Sequence, residues 1–334
     1  MRSADLVALA NVNPEHSFTV LCSFDDKIVS QTACFQAALL YTTPYGERRI
    51  RVLNMAVGVT DDLKEVFSSI DPGALITLLA KQSVEKVIAN KIEDGREYLA
   101  NKCVETYGAC ATAFGTKSQV PINAPESLHG LAQLVLAVAK SPAFRGSNTT
   151  PADYRSFILA LMRSLSIVDL IHLVHPYFCA LHQLSESHGV VSSTTGHVEL
   201  PPALPLTSES IHISGIYLLH NGLDAFIWIG SNAQPELVEA LLGKPPHHIE
   251  SGKFSVPSSL SNPWSERLVA ILGRLHELHP THSACLYVIR EDSADQSLKA
   301  LFSANLCLDR CPDQQPPYNQ WLSFLQSKVS TGSF

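Results

Sequence analysis

The sequence predicts a multidomain chain: a partial β-sandwich, an all-α helical bundle, then an α+β domain. Three patterns carry that prediction. Between Cys34 and Val52 a continuous apolar run, a turn and an alternating return strand follow one another. Helical spacing replaces the alternation from about Thr60 to Phe178. Beyond a Ser- and Pro-rich stretch, short strands interleave with helices.

The first element reads as two strands around a turn. Ala37, Leu39 and Tyr41 alternate with Ala38, Leu40 and Thr42, which are equally non-polar, so this strand is expected to be buried on both faces. Thr43-Pro44-Tyr45-Gly46 supplies the turn. On the return strand Ile50 and Val52 take one face and Arg49 and Arg51 the other. Asp71-Pro72 then signals a capped helix with Ala80, Val84, Val87 and Ile88 on one stripe. A second helix is expected over Asn123–Lys140, stopped by Ser141-Pro142. Thr150-Pro151-Ala152-Asp153 has the form of a capping box, and Tyr154, Phe157, Ile158, Leu161, Met162 and Leu165 follow on one face. Ser166 and Asp169 repeat the capping logic before a helix that ends at His175-Pro176. These helices predict an antiparallel bundle.

Leu200-Pro201-Pro202-Ala203-Leu204-Pro205 predicts an extended linker. Ile216–Leu219 and Ala225–Ile229 flank Asn221-Gly222, a strong hairpin signal. Pro235–Leu242 reads as a short helix. Asn262-Pro263 caps a longer helix bearing Trp264, Leu268, Ile271, Leu272 and Leu275. Cys285–Arg290 is a third strand, and helices follow around Leu298–Leu306 and Tyr318–Lys328.

Composition excludes several classes. With 46% hydrophobic and 16% charged residues, the chain is poorer in charge than the roughly 25% of ordinary soluble domains, which leaves apolar surface for partners. A net charge of −7 without any basic run argues against nucleic acid. The eight cysteines are scattered and form no CxxC, so reduced thiols are expected. The first residues lack a signal-peptide pattern, and the apolar run Leu131–Ala139 is half the length that crosses a bilayer. Any membrane association is therefore expected to be peripheral.

Catalytic and metal chemistry find little support. His276, His279 and His282, with Cys285 beyond, have the elements of a metal cluster, but Pro280 interrupts them and HELH is not HExxH. Polar side chains at a helix C-terminus are the favoured reading. Cys307 and Cys311 form a lone pair, and no phosphate loop or nucleophile elbow is present. Asp61-Asp62 reads as a helix start and Glu291-Asp292 as a strand-end loop. Asp224 is one carboxylate where calcium wants six to eight oxygens, and Trp228 and Trp264 read as core. Arg48, Arg49 and Arg51 are kept as a candidate contact for acidic peptides, against a solvated strand face with Glu47 as local partner.

Four segments also carry a resemblance: ADLVALANVNPEHSF (Ala4–Phe18), CFQAALLYTTPYGERRIRV (Cys34–Val52), KSPAFRG (Lys140–Gly146) and GIYLLHNGLDAFIWIG (Gly215–Gly230). In this order they resemble the Sec-twenty-three/Sec-twenty-four family, within it the C-terminal portion of the cargo-adaptor subunit of the COPII inner coat. The resemblance implies the C-terminal strands of an incomplete β-sandwich over 1–57, a helical domain over 58–182, a linker over 183–207 and a gelsolin-like α+β domain over 208–330. The family's zinc finger and trunk lie upstream, so the chain is expected to begin partway through a domain, as a fragment or a truncated product, with no cofactor of its own.

The implied function is non-enzymatic: cargo selection and coat assembly in transport from the endoplasmic reticulum to the Golgi. Implied partners are the paired inner-coat subunit, the coat's small GTPase indirectly, and the cytosolic tails of membrane cargo and SNAREs. The implied location is cytoplasmic, peripheral on the endoplasmic reticulum membrane and on coated vesicles. In the family the paired subunit activates the GTPase with an inserted arginine, a role no residue here takes. A gelsolin-type actin-associated protein is the alternative; it requires repeated modules with calcium carboxylates.

Overall fold

The computed structural model describes residues 6–13, 16–116, 124–257, 260–280, 283–311 and 315–332. Strands β1 (Thr32–Thr42) and β2 (Arg48–Gly58) form an antiparallel hairpin in unbroken register, Thr32 opposite Gly58 and Thr42 opposite Arg48. Gly46 closes the turn at φ +84°, a conformation that a Cβ would strain. The burial expected for both faces of β1 is not found. Leu40 is 52% exposed, and Ile50 and Leu53 on β2 are 69% and 61% exposed. Apolar patterning marks a strand that needs cover; among the described residues no third strand pairs with this hairpin.

The helical bundle follows. Asp62 caps α1 (Leu63–Ser68) by accepting from the Lys64 N–H at 2.8 Å. Asp71 caps α2 (Pro72–Ala89), its Oδ1 accepting from Gly73 and Ala74 at 2.8 and 3.1 Å. Ile76, Ala80 and Val84 are buried and Val87 packs partly buried against the core, but Ile88 is exposed, so the stripe stops at Val87. Helix α3 (Ile92–Phe114) buries Leu99, Cys103, Tyr107 and Ala111, one per turn. Gly95 begins the same stripe. A Cβ there would lie 2.4 Å from Val87 Cγ2 and 2.9 Å from the Phe144 ring, so α2 and α3 approach closely only because Gly95 lacks one.

The buried Tyr107 hydroxyl donates to the Leu128 carbonyl at 2.8 Å and accepts from the Ala132 N–H at 3.2 Å, tying α3 to α4 (Leu131–Lys140). The expected single helix from Asn123 is instead a 3-10 turn at Glu126–Leu128 followed by α4, and Asn123 itself lies outside the described residues. The expected capping box of α5 (Ala152–Ser164) does not form. Thr150 is buried and donates its N–H to Gly146 at 3.0 Å, and no side chain caps the helix. Ser166 does cap α6 (Ile167–Val174), accepting from the Asp169 N–H at 3.2 Å.

The last module is built on a five-stranded sheet. Its strands are β3 (Tyr177–Ala180), β4 (Ile216–His220), β5 (Asp224–Ile229), β6 (Gly252–Lys253) and β7 (Cys285–Arg290). They lie in the order β3-β4-β5-β7-β6, with β5 and β7 parallel and the other pairs antiparallel. β3 falls in a range read from sequence as helical, yet it is the outer strand of this sheet. The proline-rich segment covers its free side: the Leu204 N–H donates to Phe178 at 2.7 Å and the Tyr177 hydroxyl to Pro201. Prolines shield an edge without offering a new N–H to a stray strand.

Asn221 Oδ1 accepts from Leu223 and Asp224 at 3.0 and 2.8 Å, completing the predicted turn between β4 and β5. One sheet face packs on α7 (Pro235–Leu242) and α8 (Pro263–Leu278) through Leu218, Ile227, Leu241, Leu268 and Ile271. The other, with Phe178, Tyr217, Phe226 and Trp228 against Phe302 of α9 (Gln296–Ser303), is continuous with the core of the helical bundle. Helix α10 (Tyr318–Thr331) returns to that bundle, where Trp321 donates its indole N–H to Ala132 at 2.9 Å. No described helix is long and apolar enough to cross a membrane.

Candidate docking surface

The hairpin register sorts the three candidate arginines. Arg49 stands opposite Tyr41 and Arg51 opposite Leu39, so both share the face of Ala37, Leu53, Phe35 and Met55. Arg48 stands opposite Thr42 on the other face, with Leu40, Ile50, Ala38 and Val52. The structure therefore brings Arg49 and Arg51 together and turns Arg48 away. Arg49 is ion-paired to Glu47, with both side chains more than half exposed. On the opposite face Gln36 donates to Asn54 at 2.8 Å. The exposed face thus offers two guanidinium groups at the turn end and an apolar strip toward Phe35 and Met55, suited to a peptide with both acidic and apolar side chains.

The preceding segment attaches this hairpin to the bundle. The Ser17 N–H donates to Ser164 at 2.8 Å and its hydroxyl to Leu165. Lys81 donates to the Ser17 carbonyl at 3.0 Å and to its hydroxyl at 2.6 Å. Residues Leu9, Phe18, Ala160 and Arg163 line a shallow groove beside this contact.

The seam between bundle and last module holds residues whose partners the sequence did not reveal. Lys140 is almost fully buried and donates to the carbonyls of Cys307 and Asp309 at 2.8 and 2.5 Å. Burial lowers its ammonium to about 8, although Cys307, Cys311 and Asp309 partly offset the loss of water. Arg145 donates to Lys140 at 2.7 Å and to Ala304 at 2.8 Å. The KSPAFRG segment is thus a clamp: its two cations hold carbonyls of the last module while Ala143 and Phe144 enter the core. Two cations flanking an apolar turn at a helix end were the available signal.

Histidines form the second part of the seam. His172 of α6 hydrogen-bonds His220 of β4 at 2.8 Å, and its ring stacks on His279 with centroids 3.6 Å apart. His279 in turn bonds Asp169 at 3.1 Å. Burial, reinforced by neighbouring imidazoles, pushes His172 far down and His220 to about 4. Of the three histidines weighed as metal ligands and read instead as helix-end polar groups, His276 is exposed, His279 is taken up in this stack and His282 lies outside the described residues. Among the described residues no group of three or more His, Cys, Asp or Glu has the geometry to hold a metal.

The remaining candidates have structural partners. Asp61 faces Lys27 at 3.6 Å, Arg290 grips Asp292 at 2.9 and 2.5 Å, and Glu291 accepts from the Ser231 N–H at 2.8 Å. Burial pushes the Asp224 carboxyl up. Cys307, buried beside Lys140, has its thiol pushed up to about 12. Trp228 is buried in the aromatic layer and Trp264 packs partly buried against the other face of the sheet.

Comparison with known proteins accounts for this arrangement. Residues 1–60 match the Sec23/Sec24 beta-sandwich domain, residues 71–172 the Sec23/Sec24 helical domain, and residues 197–244 the gelsolin repeat. The chain is 32% identical over 336 residues to protein transport protein SEC24 of Coccidioides immitis, covering 98% of this chain and 36% of that protein. It is 33% identical to the same-named protein of Neosartorya fischeri, again covering 98% and 36%. The crystal structure of the human COPII-coat protein Sec24c shares the fold with a TM-score of 0.79, at 24% identity, over 92% of this chain and 39% of that one. The chain therefore spans little more than a third of the length of the curated relatives it matches.

Proposed function

Because the chain belongs to the Sec23/Sec24 family, we propose that it serves as a non-enzymatic component of the COPII vesicle coat, of the cargo-adaptor type. It supports cargo selection and coat assembly in transport from the endoplasmic reticulum to the Golgi. The observation that carries this reading is the unbroken succession of sandwich end, helical domain and gelsolin-like module, matched to SEC24 proteins over 98% of the chain. The proposed partners are the paired inner-coat subunit, the small GTPase through it, and cytosolic tails of cargo and SNAREs. The proposed location is the cytoplasmic face of the endoplasmic reticulum and its coated vesicles. Binding is the whole mechanism: weak peptide contacts become effective when a coat lattice presents many copies at once.

Arg49 and Arg51, with the apolar strip beside them, are the proposed contact for acidic cargo peptides. Arg48 would engage only a ligand that reaches the opposite face. The actin-associated alternative requires a series of gelsolin modules, whereas the rest of this chain matches the Sec23/Sec24 domains. Fractionation of cells expressing the tagged chain tests the choice. Co-purification with COPII-coated membranes is expected, together with no pelleting on filamentous actin at any calcium level. Calcium-dependent pelleting with actin and absence from coated membranes would overturn it.

A further inference from the structure

The coat reading assigns no role to the buried histidines between α6 and β4, and their geometry has a consequence of its own. The Gly222 N–H points at His220 Nδ1 from 3.3 Å, so that nitrogen is the acceptor and His172 Nε2 carries the proton shared at 2.8 Å. His279 Nδ1 donates to the Asp169 carboxylate, itself held by the Ser166 hydroxyl at 2.7 Å. A proton arriving on His220 Nδ1 would meet two donors, the Gly222 N–H and His172 Nε2–H. A tautomer shift of His172 relieves one of these conflicts and not the other. When both rings are charged, no hydrogen bond between them survives and two cations face each other in a buried seam.

The surroundings offer little compensation. Helix α6 contributes Asp169 and His175, the latter bonded to the neutral Gln133 of α4 at 2.8 Å. Helix α8 contributes His276 and His279, both unfavourable to a further positive charge on His220. Strand β5 begins with Asp224, whose charged neighbour is Lys253. Where α2 packs on α6, Gly73 lies against Ile167 and Ile171. Asp169 is therefore the carboxylate that serves the stack, and His279 already occupies it. A narrow cleft lined by Leu165, Asp169, Asn221, Gly222 and Leu223 lies against the stack.

We propose that the His172–His220 pair makes this seam a proton-operated joint, closed at neutral pH and loosened when the pair is protonated. Opening returns each ring to water, where it binds protons normally, so acid favours the open form. The β4 end of the last module then separates from α6, while the Lys140 and Arg145 clamp, some distance along the chain, keeps its own contacts.

Hydrogen exchange of the full chain between pH 7.5 and 5.0, corrected for intrinsic rates, tests this. An imidazole held at about 4 that regains its ordinary 6.5 on opening favours the open form about 30-fold more at pH 5.0 than near neutrality. Amides of β4 and α6 should lose protection by at least that factor, since release of His172 adds to it, while Leu99–Tyr107 of α3 keep theirs. The double variant His172→Gln with His220→Asn retains a donor and an acceptor at the same two places without a titrating ring, and should stay protected at pH 5.0. Constant protection in the native chain, or an equal loss in the double variant, would overturn the joint. Should the double variant lose α3 protection already at pH 7.5, side-chain NMR of the native chain decides. Imidazole protonation in step with exchange supports the joint; protonation without opening, or opening with neutral rings, refutes it.

Discussion

The hairpin and the seam employ the same cationic side chains in opposite surroundings. Arg49 and Arg51 project from a two-stranded sheet into water, where an ion pair contributes about 0–1 kcal/mol. Lys140 and Arg145 are 3% and 7% exposed and donate to backbone carbonyls more than 150 residues away. Hydrogen bonds from charged groups contribute about 1.5–3 kcal/mol each, and a buried carbonyl left without a donor is costly. The difference separates two duties. The seam fastens the last module to the bundle, and the hairpin keeps its chemistry free for whatever docks on it.

Trp321→Ala should produce the largest effect. It removes a large buried ring and the donor to Ala132, and the loss should be about 3–5 kcal/mol in urea denaturation, with α10 amides exchanging first. A loss below about 1 kcal/mol would show that α10 is an appendage and that the two domains do not share a core. Lys140→Met comes next. Burial depresses the ammonium from 10.5 to about 8, so the unfolded chain binds this proton more tightly. The contribution of Lys140 to stability is therefore fullest above pH 10.5, falls as pH drops to about 8, and is constant below that. Subtracting the stability of Lys140→Met from that of the native chain should give a difference that rises between pH 8 and 10.5. A flat difference would mean that Lys140 is hydrated and the clamp open.

These contrasts explain what sequence could disclose. Local chemistry was legible: the caps at Asp71 and Asn262 and the Asn221-Gly222 turn involve neighbours in the chain. The stripe of α3 was not singled out because it is built from Gly95, Leu99, Cys103, Tyr107 and Ala111, with too few large apolar residues to stand out. Strand β3 is four residues long and finds its partner about forty residues later, across a proline-rich stretch. The continuous apolar run of β1 correctly gave a strand but overstated its cover, because burial depends on what packs against it. At the candidate site, alternation placed Arg49 and Arg51 on one face. Grouping Arg48 with them followed sequence proximity, which period-two geometry contradicts. The Lys140–Gly146 segment stood out in the sequence, but the carbonyls its cations hold lie more than 150 residues away, and the histidine stack joins distant residues that no local pattern announces.

Substitutions on the hairpin sharpen the comparison from its weak side. Leu53→Ser should change stability by no more than about 0.5 kcal/mol, since that side chain is 61% exposed. A loss of several kcal/mol would mean that this face is covered after all.

Arg51→Glu isolates function from folding. Its midpoint in urea should match that of the native chain, because Arg51 has water around it and a neighbour, Leu39, that tolerates either charge. Binding of an acidic, apolar-flanked peptide, followed by fluorescence polarisation, should weaken up to about fivefold, the worth of one exposed contact, and more at low salt than at high. Arg48→Glu makes the same change of charge on the opposite face and is the necessary control. Were it to weaken binding equally, only the net charge of the hairpin would matter. A loss confined to Arg49→Glu and Arg51→Glu would place the peptide on the face of Leu53 and Met55, because the register leaves it no other strip to lie on.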